Sequence, residues 1–346
     1  MVSSITVRRM RETDVDAADR LLQAAFERPA SFQAHIRLSL ALEPDGVLVA
    51  QEDGRLVGTV GAVDYGRLAY IGLMAVDPSR QGHGIGRMLM GHLLHWLDER
   101  SCPMALLDAT DQGARLYEKL GFVDDATAVV FERASGEERT LLDKQAVAPD
   151  EKEGALLGKP AVAPGEALVT APAVAPGTWP RISETRFCNQ PTSPVSERPP
   201  YVATNAKVSF ACADDLAGIS AFDARLFGAD RAKLVAALWP EHGARCLVAR
   251  DGSDRLTGFL FARDPVFGPW LAESPGVAED LLSRALALEF ANPPHVMVPR
   301  SNALAAELLL RHGFGERRRL RHMCRGGDGP PGSPECLFGQ SSFAHG

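Results

Sequence analysis

Three glycines alternate at Gly82, Gly84 and Gly86, directly after a short apolar run and directly before a helix-period pattern, and no other stretch constrains the chain as much. Leu73, Met74, Ala75 and Val76 read as a strand that Asp77-Pro78 stops, because proline has no N–H to give to a sheet ladder. Ile85, Met88, Leu89, His92, Leu93, Trp96 and Leu97 then recur at helical spacing. The glycines therefore stand at a helix N-terminus, where unpaired backbone N–H groups and the helix dipole favour an anion. A diphosphate suits such a site.

Two phosphate-binding patterns compete here. A dinucleotide fingerprint requires Gly-x-Gly-x-x-Gly tight against the strand, with an acidic residue about 20 residues further on. Asp108 has the right distance, but the glycines run Gly-x-Gly-x-Gly, and Asp77 to Gln81 separate them from the strand. The stretch instead resembles the acetyl-coenzyme A signature of the GNAT N-acetyltransferases, in which a strand ending in Val-Asp-Pro precedes (Arg or Gln)-x-x-Gly-x-(Gly or Ala). Gln81, Gly84 and Gly86 fill its places, with Arg80 and Arg87 flanking.

The surrounding pattern agrees with that resemblance. Ile5 to Arg9 alternates like a strand, and Asp14 can cap a helix with Val15, Ala18, Leu21, Leu22 and Phe26 on one face. A short helix is expected over 31–42, then two strands at 47–50 and 56–63 joined by the turn residues Glu52-Asp53-Gly54-Arg55. After the long helix, Met104 to Leu107 is a buried strand and Gln112 to Leu120 a helix closed by Gly121. Phe122-Val123 and Ala128 to Glu132 are expected to pair as the last two strands. This is the element order of the GNAT fold, an α/β fold with a mixed sheet.

From about Ala134 to Pro200 periodicity stops, Pro, Ala, Gly and Glu dominate, and Ala-Val-Ala-Pro begins at Ala146, Ala161 and Ala173. Such a composition cannot bury enough apolar surface to offset the entropy of ordering, so a disordered linker is expected. Strand and helix patterns then resume at Val208, and Asp53-Gly54-Arg55-Leu56-Val57-Gly58 is echoed by Asp254-Arg255-Leu256-Thr257-Gly258, as Gly121-Phe122 is by Gly313-Phe314. Between these markers the first copy has 63 residues and the second 55, and where the first carries its glycine loop the second has only Trp270 to Gly276. The second copy is therefore degenerate, without a phosphate cradle.

The pairing resembles a bacterial tandem-GNAT group whose C-terminal half is a YitH-like acetyltransferase-like domain, through Asp223 to Arg231, Phe267-Gly268-Pro269, Asn302, Gly313-Phe314 and Arg321-His322-Met323. Departures are Asp111-Gln112 in place of the usual Pro after Asp108-Ala109-Thr110, and His322 splitting the usual Arg-Met. The expected organisation is a catalytic GNAT domain at 1–134, a Pro/Ala-rich linker at 135–200, a GNAT-like domain without the glycine loop at 201–326 and a flexible tail at 327–346.

Composition narrows the partners. The 346 residues carry a net charge of -7, and the one basic cluster, Arg317 to Arg319 with Arg321, reads as a solvated strand edge; no nucleic acid is expected. The N-terminus has no apolar run after its positive charges, and no membrane-length apolar segment follows, so neither a secretory signal nor a membrane span is expected. Six scattered cysteines form no C-x-x-C pair, which fits reduced thiols in a cytoplasm and no metal site. A homodimer is left open.

Acetyl transfer from a thioester to an amine requires a diphosphate cradle, a polarised carbonyl, a neutral amine and a protonated leaving thiol. The N–H groups of Gln81, Gly82, His83, Gly84, Ile85, Gly86 and Arg87 supply the cradle. For the carbonyl and pantetheine, the resemblance points to the backbone of Met74, Ala75 and Val76. Tyr117 matches the family's helix tyrosine, and a phenol with an unperturbed pKa of about 10 holds the proton a general acid must give. No Glu precedes the loop, so the base is open between Asp108, Asp64 and Tyr70. The expected function is acetyl-CoA-dependent N-acetylation of a small-molecule primary amine, with the second domain shaping the acceptor pocket; the alternative is a non-catalytic acyl-CoA sensor.

Overall fold

The computed structural model describes residues 5–134, 206–299, 301–327 and 332–346. The first half runs β1 (Ile5–Arg9), α1 (Val15–Phe26), α2 (Gln33–Leu42), β2 (Val47–Glu52), β3 (Arg55–Asp64), β4 (Ala69–Val76), α3 (Ile85–Glu99), β5 (Met104–Ala109), α4 (Asp111–Glu118) and β6 (Val123–Arg133). The second repeats the order with β7 (Lys207–Phe210), α5 (Leu216–Phe227), α6 (Ala232–His242), β8 (Cys246–Arg250), β9 (Leu256–Ala262), β10 (Val266–Ala272), α7 (Pro275–Leu286), β11 (His295–Pro299), α8 (Ala303–Arg311) and β12 (Phe314–Gly326), then adds β13 (Leu337–Gly339). The expected linker at 135–200 lies outside the described residues.

Local chemistry explains the elements. Asp53 and Gly54 both take positive φ, at 47° and 83°, which gives the β2–β3 hairpin the turn that matches strand twist. In α3, Ile85, Leu89, Met90, Leu93, Leu94 and Leu97 form the buried face. Gly58 of β3 lies beneath that face; a Cβ there would come within 2.8 Å of Leu89 Cδ1, so its absence sets how closely the helix rides on the sheet.

The two halves share one mixed sheet of thirteen strands among the described residues, and they exchange their last strands. β12, from the second half, lies between β5 and β6 of the first. β6 in turn lies between β12 and β11 of the second half. The rungs run from Arg321 opposite Ala109 to Gly326 opposite Met104 on one side, and from His295 opposite Glu132 to Pro299 opposite Ala128 on the other. The expected terminal hairpin of Phe122-Val123 with Ala128 to Glu132 is thereby corrected. One continuous strand covers 123–133, because its partners come from the other half and Asp124-Asp125-Ala126-Thr127 has no turn to make.

Each half opens at the equivalent place. β4 and β5 are parallel and pair only from Ala69 to Ile71, after which β4 continues to Val76 paired with β3 alone. β10 and β11 pair only at Val266 and Phe267. In the second half β13 enters this opening, placing Gly339 opposite Trp270 and Leu337 opposite Leu271, while Gln340 N–H donates to Met297 O of β11 at 2.8 Å. The expectation of a flexible tail is corrected for 332–346, where Phe338, Ser341 and His345 are fully buried. Ladder bonds to β10 and an apolar Phe338 against Trp270 hold the segment.

A chain ending at residue 134 would leave an edge of β5 and both edges of β6 without the neighbours that satisfy their backbone groups. We expect it to self-associate on size exclusion and to melt without cooperativity, whereas co-expression with residues 201–346 restores a monodisperse complex. A cooperatively melting monomer of 1–134 would contradict the exchange.

Candidate active site

The alternating glycines meet two separate demands. Gly82 and Gly84 take φ of +80° and +81° with open space where a Cβ would stand, so backbone conformation is what requires glycine there. Gly86 has ordinary backbone, but a Cβ would meet Met74 Cε at 3.0 Å and Leu116 Cδ2 at 3.2 Å, so this residue lets the start of α3 press on β4 and α4. Gly84 is the N-cap of α3 and offers no side chain to its first turn, leaving those N–H groups for an outside anion.

Side chains around the loop fix its ends. Gln81 donates through Nε2 to Val76 O at 3.3 Å and accepts from Gln112 Nε2 at 3.4 Å, tying the end of β4 to the start of α4. His83 is exposed and its Nδ1 lies 2.9 Å from Gln81 O. Arg80 is drawn into an ion pair with Glu52, so its charge is committed away from the loop. Arg87 in the first turn of α3 is exposed.

Leu73 takes φ of +52°, unusual for a residue with a branched side chain, and the β3–β4 register slips across it, with Gly72 opposite Gly61 but Ala75 opposite Thr59. This bulge turns β4 just where it leaves β5, and Met74, Ala75 and Val76 form the rest of the segment whose β5-side edge is open. Tyr117 sits on α4 next to Leu116, which itself touches the Gly86 position. Its ring packs edge-on to Phe122 at 5.9 Å, and burial alone pushes its hydroxyl pKa above the ordinary value, so it holds its proton across the working pH range.

On the opposite face of the sheet from α3, Asp108 is the centre of a buried polar cluster. Its side chain has no exposed surface, accepts a short hydrogen bond from Tyr70 Oη, and receives His322 Nδ1 at 2.8 Å. His322 comes from β12, directly opposite Asp108 in the register. Its Nε2 lies 3.9 Å from Asp125 Oδ2 of β6. Gln340, just past β13, donates through Nε2 to Tyr70 Oη at 2.8 Å, and its Oε1 is buried without a partner. Burial lowers the His322 pKa, but the charge and hydrogen bond of Asp108, with Asp125 behind them, outweigh it, and the net direction is upward.

Of the three candidate bases, the structure brings Asp108 and Tyr70 together and separates Asp64. Asp64 is occupied with Gly66 N at 2.8 Å and Arg100 Nε at 3.1 Å. In the sequence His322 stands out only as a departure from a pattern, and no local motif marks Asp125 or Gln340. A signal existed: apolar Leu320, Met323 and Cys324 surround His322 and are buried with it in one strand, and a histidine among buried neighbours must find polar partners.

The wall over this cluster comes from both halves. α5 sets Phe227 edge-on to Tyr65 at 6.4 Å, and Lys233 of α6 pairs with Glu43 at 2.7 Å. Residues after β13 close the remainder: Tyr65 Oη donates to His345 O at 2.9 Å, Ser39 Oγ meets His345 Nε2 at 2.8 Å, and a Cβ on Gly72 would strike Ala344 Cα at 2.4 Å. Burial lowers the pKa of His345 to about 3 and of His35 to about 4, so both rings are neutral near neutral pH.

Comparison with known proteins supplies the family. The model of the acetyltransferase (GNAT) family matches residues 15–122, and that of an acetyltransferase (GNAT) domain matches 219–339. A mycothiol acetyltransferase of Acidothermus cellulolyticus is 38% identical over 117 residues, covering 28% of this chain and 36% of that protein. The chain thus spans about a third of the length of the mycothiol acetyltransferases it matches, 36% and 32% for two of them. An uncharacterised N-acetyltransferase of Bacillus subtilis, YitH, is 24% identical over 265 residues, 75% of this chain and 71% of that one. The crystal structure of a putative acetyltransferase from Pyrococcus horikoshii has the same fold, with a TM-score of 0.69 at 21% identity over 99% of this chain and 96% of that chain. One GNAT match falls on the half with the glycine loop and the other on the half whose opening β13 fills, and the chain accordingly belongs to the GNAT acetyltransferase family as a tandem of two GNAT domains.

Proposed function

We propose that the chain transfers an acetyl group from acetyl-CoA directly to a primary amine of a small molecule, and that only its first half holds the acetyl donor. The observation that carries this reading is the continuity of the glycine loop at the start of α3 with the segment of β4 that has parted from β5. A diphosphate cradle and a slot for an extended acyl chain adjoin in one half, whereas β13 fills the equivalent slot of the other. Acetyl-CoA, the family's acetyl donor, supplies the activated thioester. The N–H groups from Gln81 to Arg87 hold its diphosphate, helped by the Arg87 guanidinium. Backbone groups of Met74, Ala75 and Val76 orient the acyl arm and the carbonyl, and donors aimed at a developing oxyanion are a usual source of rate enhancement. Tyr117 keeps the proton that the departing sulfur needs.

A small acceptor is supported by the enclosure of the Asp108 face between α5, α6 and residues 340–346. The relatives named mycothiol acetyltransferases and N-acetyltransferase YitH support acetyl transfer, the latter to nitrogen. Cytoplasm is the compartment that keeps Cys102, Cys246 and Cys324 as the free thiols seen here.

Release of coenzyme A over a panel of lysine, spermidine and kanamycin is expected with at least one amine; tight binding with no release on an extended amine panel would make the chain a sensor. Replacing Gly84 by Glu forces a left-handed backbone and puts a carboxylate in the cradle, so affinity for coenzyme A should fall at least about tenfold in calorimetry, since the backbone alone costs about 1–2 kcal/mol. Replacing Tyr117 by Phe should lower kcat about 100-fold with coenzyme A affinity unchanged, the scale of a lost general acid.

A further inference from the structure

Resting on the acetyl-transfer reading, we propose that His322, contributed by the second half, accepts the proton released by the acceptor amine in the first half's active site. The imidazole stands beside Tyr70, ring centroids 6.1 Å apart, and Tyr70 lies one rung before β4 parts from β5. Asp108 receives Nδ1 at 2.8 Å and thereby fixes the tautomer with its proton on that nitrogen. The lone pair is left on Nε2, which makes no hydrogen bond among the described residues, its nearest charged neighbour being Asp125 at 3.9 Å. An imidazolium formed there lies between two carboxylates, so the charge that proton acceptance creates is met in advance. A second unmet group lies in the same hydrogen-bonded cluster: Gln340 Oε1 is buried and unpartnered while its Nε2 is anchored on Tyr70 Oη, which itself bonds Asp108, so an N–H donor is what the amide oxygen lacks.

The protons balance. An ammonium brings three hydrogens and the amide keeps one. Nε2 of His322 takes the first, freeing the nitrogen lone pair to form the C–N bond. As the C–S bond breaks its electron pair stays on sulfur, which takes the Tyr117 proton, and the second hydrogen from nitrogen restores the phenol. His322 then returns its proton to water.

The groups facing the imidazole are Asp108 from β5, Asp125 from β6 and Tyr70 from β4; on β12 itself Arg321 is turned to Asp124 and Glu118. The two carboxylates raise its pKa above the ordinary value despite burial. A base must be neutral to act, so kcat/KM should rise with pH through an acid limb lying above about 6.5. His322→Gln is expected to lower kcat about 100-fold and to abolish that limb, with coenzyme A affinity retained. Asp125→Asn, which keeps the fold's hydrogen-bonding size and removes one carboxylate, should move the limb to lower pH, and the His322 imidazole resonance in nitrogen NMR should titrate in step with it. The kinetics use whichever of lysine, spermidine and kanamycin turns over fastest. An acid limb unchanged in both variants overturns the proton-acceptor role alone. A wild-type chain that binds coenzyme A and acetylates no amine overturns it together with the acetyl-transfer reading.

Discussion

The antiparallel pairing of β12 with β6 is the constraint on which the rest depends. Neither strand pairs with the sheet of its own half except across the other, because β12 supplies the neighbour of β5 and β6 the neighbour of β11. A row of unpaired N–H and C=O groups at either strand would be costly to bury and adhesive if exposed. Exchange satisfies both rows at once. It also gives the two halves a single hydrophobic system beneath the exchanged strands, in which Tyr70, Leu106 and Cys324 pack with Phe227, Leu234 and Phe259.

The same exchange explains how a carboxylate comes to be tolerated at Asp108. A fully buried side chain of this kind is stable only with compensating partners. Tyr70 from the first half provides one, and His322 provides the other because β12 lies alongside β5 with His322 in register. The polar centre of the site is therefore a product of the strand order. Loop and cradle, by contrast, are local: Gly82 and Gly84 need only their own backbone conformation, and Gly86 needs only the short approach of α3 to β4.

That distinction decides what could be read from sequence. Val76 to Gly86 announces a strand end, a glycine loop and a helix start through short-range chemistry alone, and the hairpin at Asp53-Gly54 does the same. The doubling of the element order was visible because Gly58 and Gly258, and Gly121 and Gly313, mark equivalent packing and capping positions. β12 was hidden because Arg317, Arg318, Arg319 and Arg321 look like solvent, yet it is an interior strand on which Arg317, Arg319 and Arg321 pair with Glu132, Glu316 and Asp124 and Arg318 lies over Phe343. His322 and Gln340 were hidden for a different reason. Each acquires meaning only from residues 214 and 270 positions away, Asp108 and Tyr70, and no local pattern encodes such pairings.

β13 bears on how such a tandem can change. By occupying the opening between β10 and β11 it gives the second half a permanent strand in that place, and the residues that follow it then wall the Asp108 face of the first half. The two roles are mechanically one segment. For the second half to take a cofactor into that opening it would have to evict β13, and the first half would lose its wall in the same event. A strand that closes an opening in one copy thus serves as architecture in the other, a ratchet that favours specialisation and works against two equal sites.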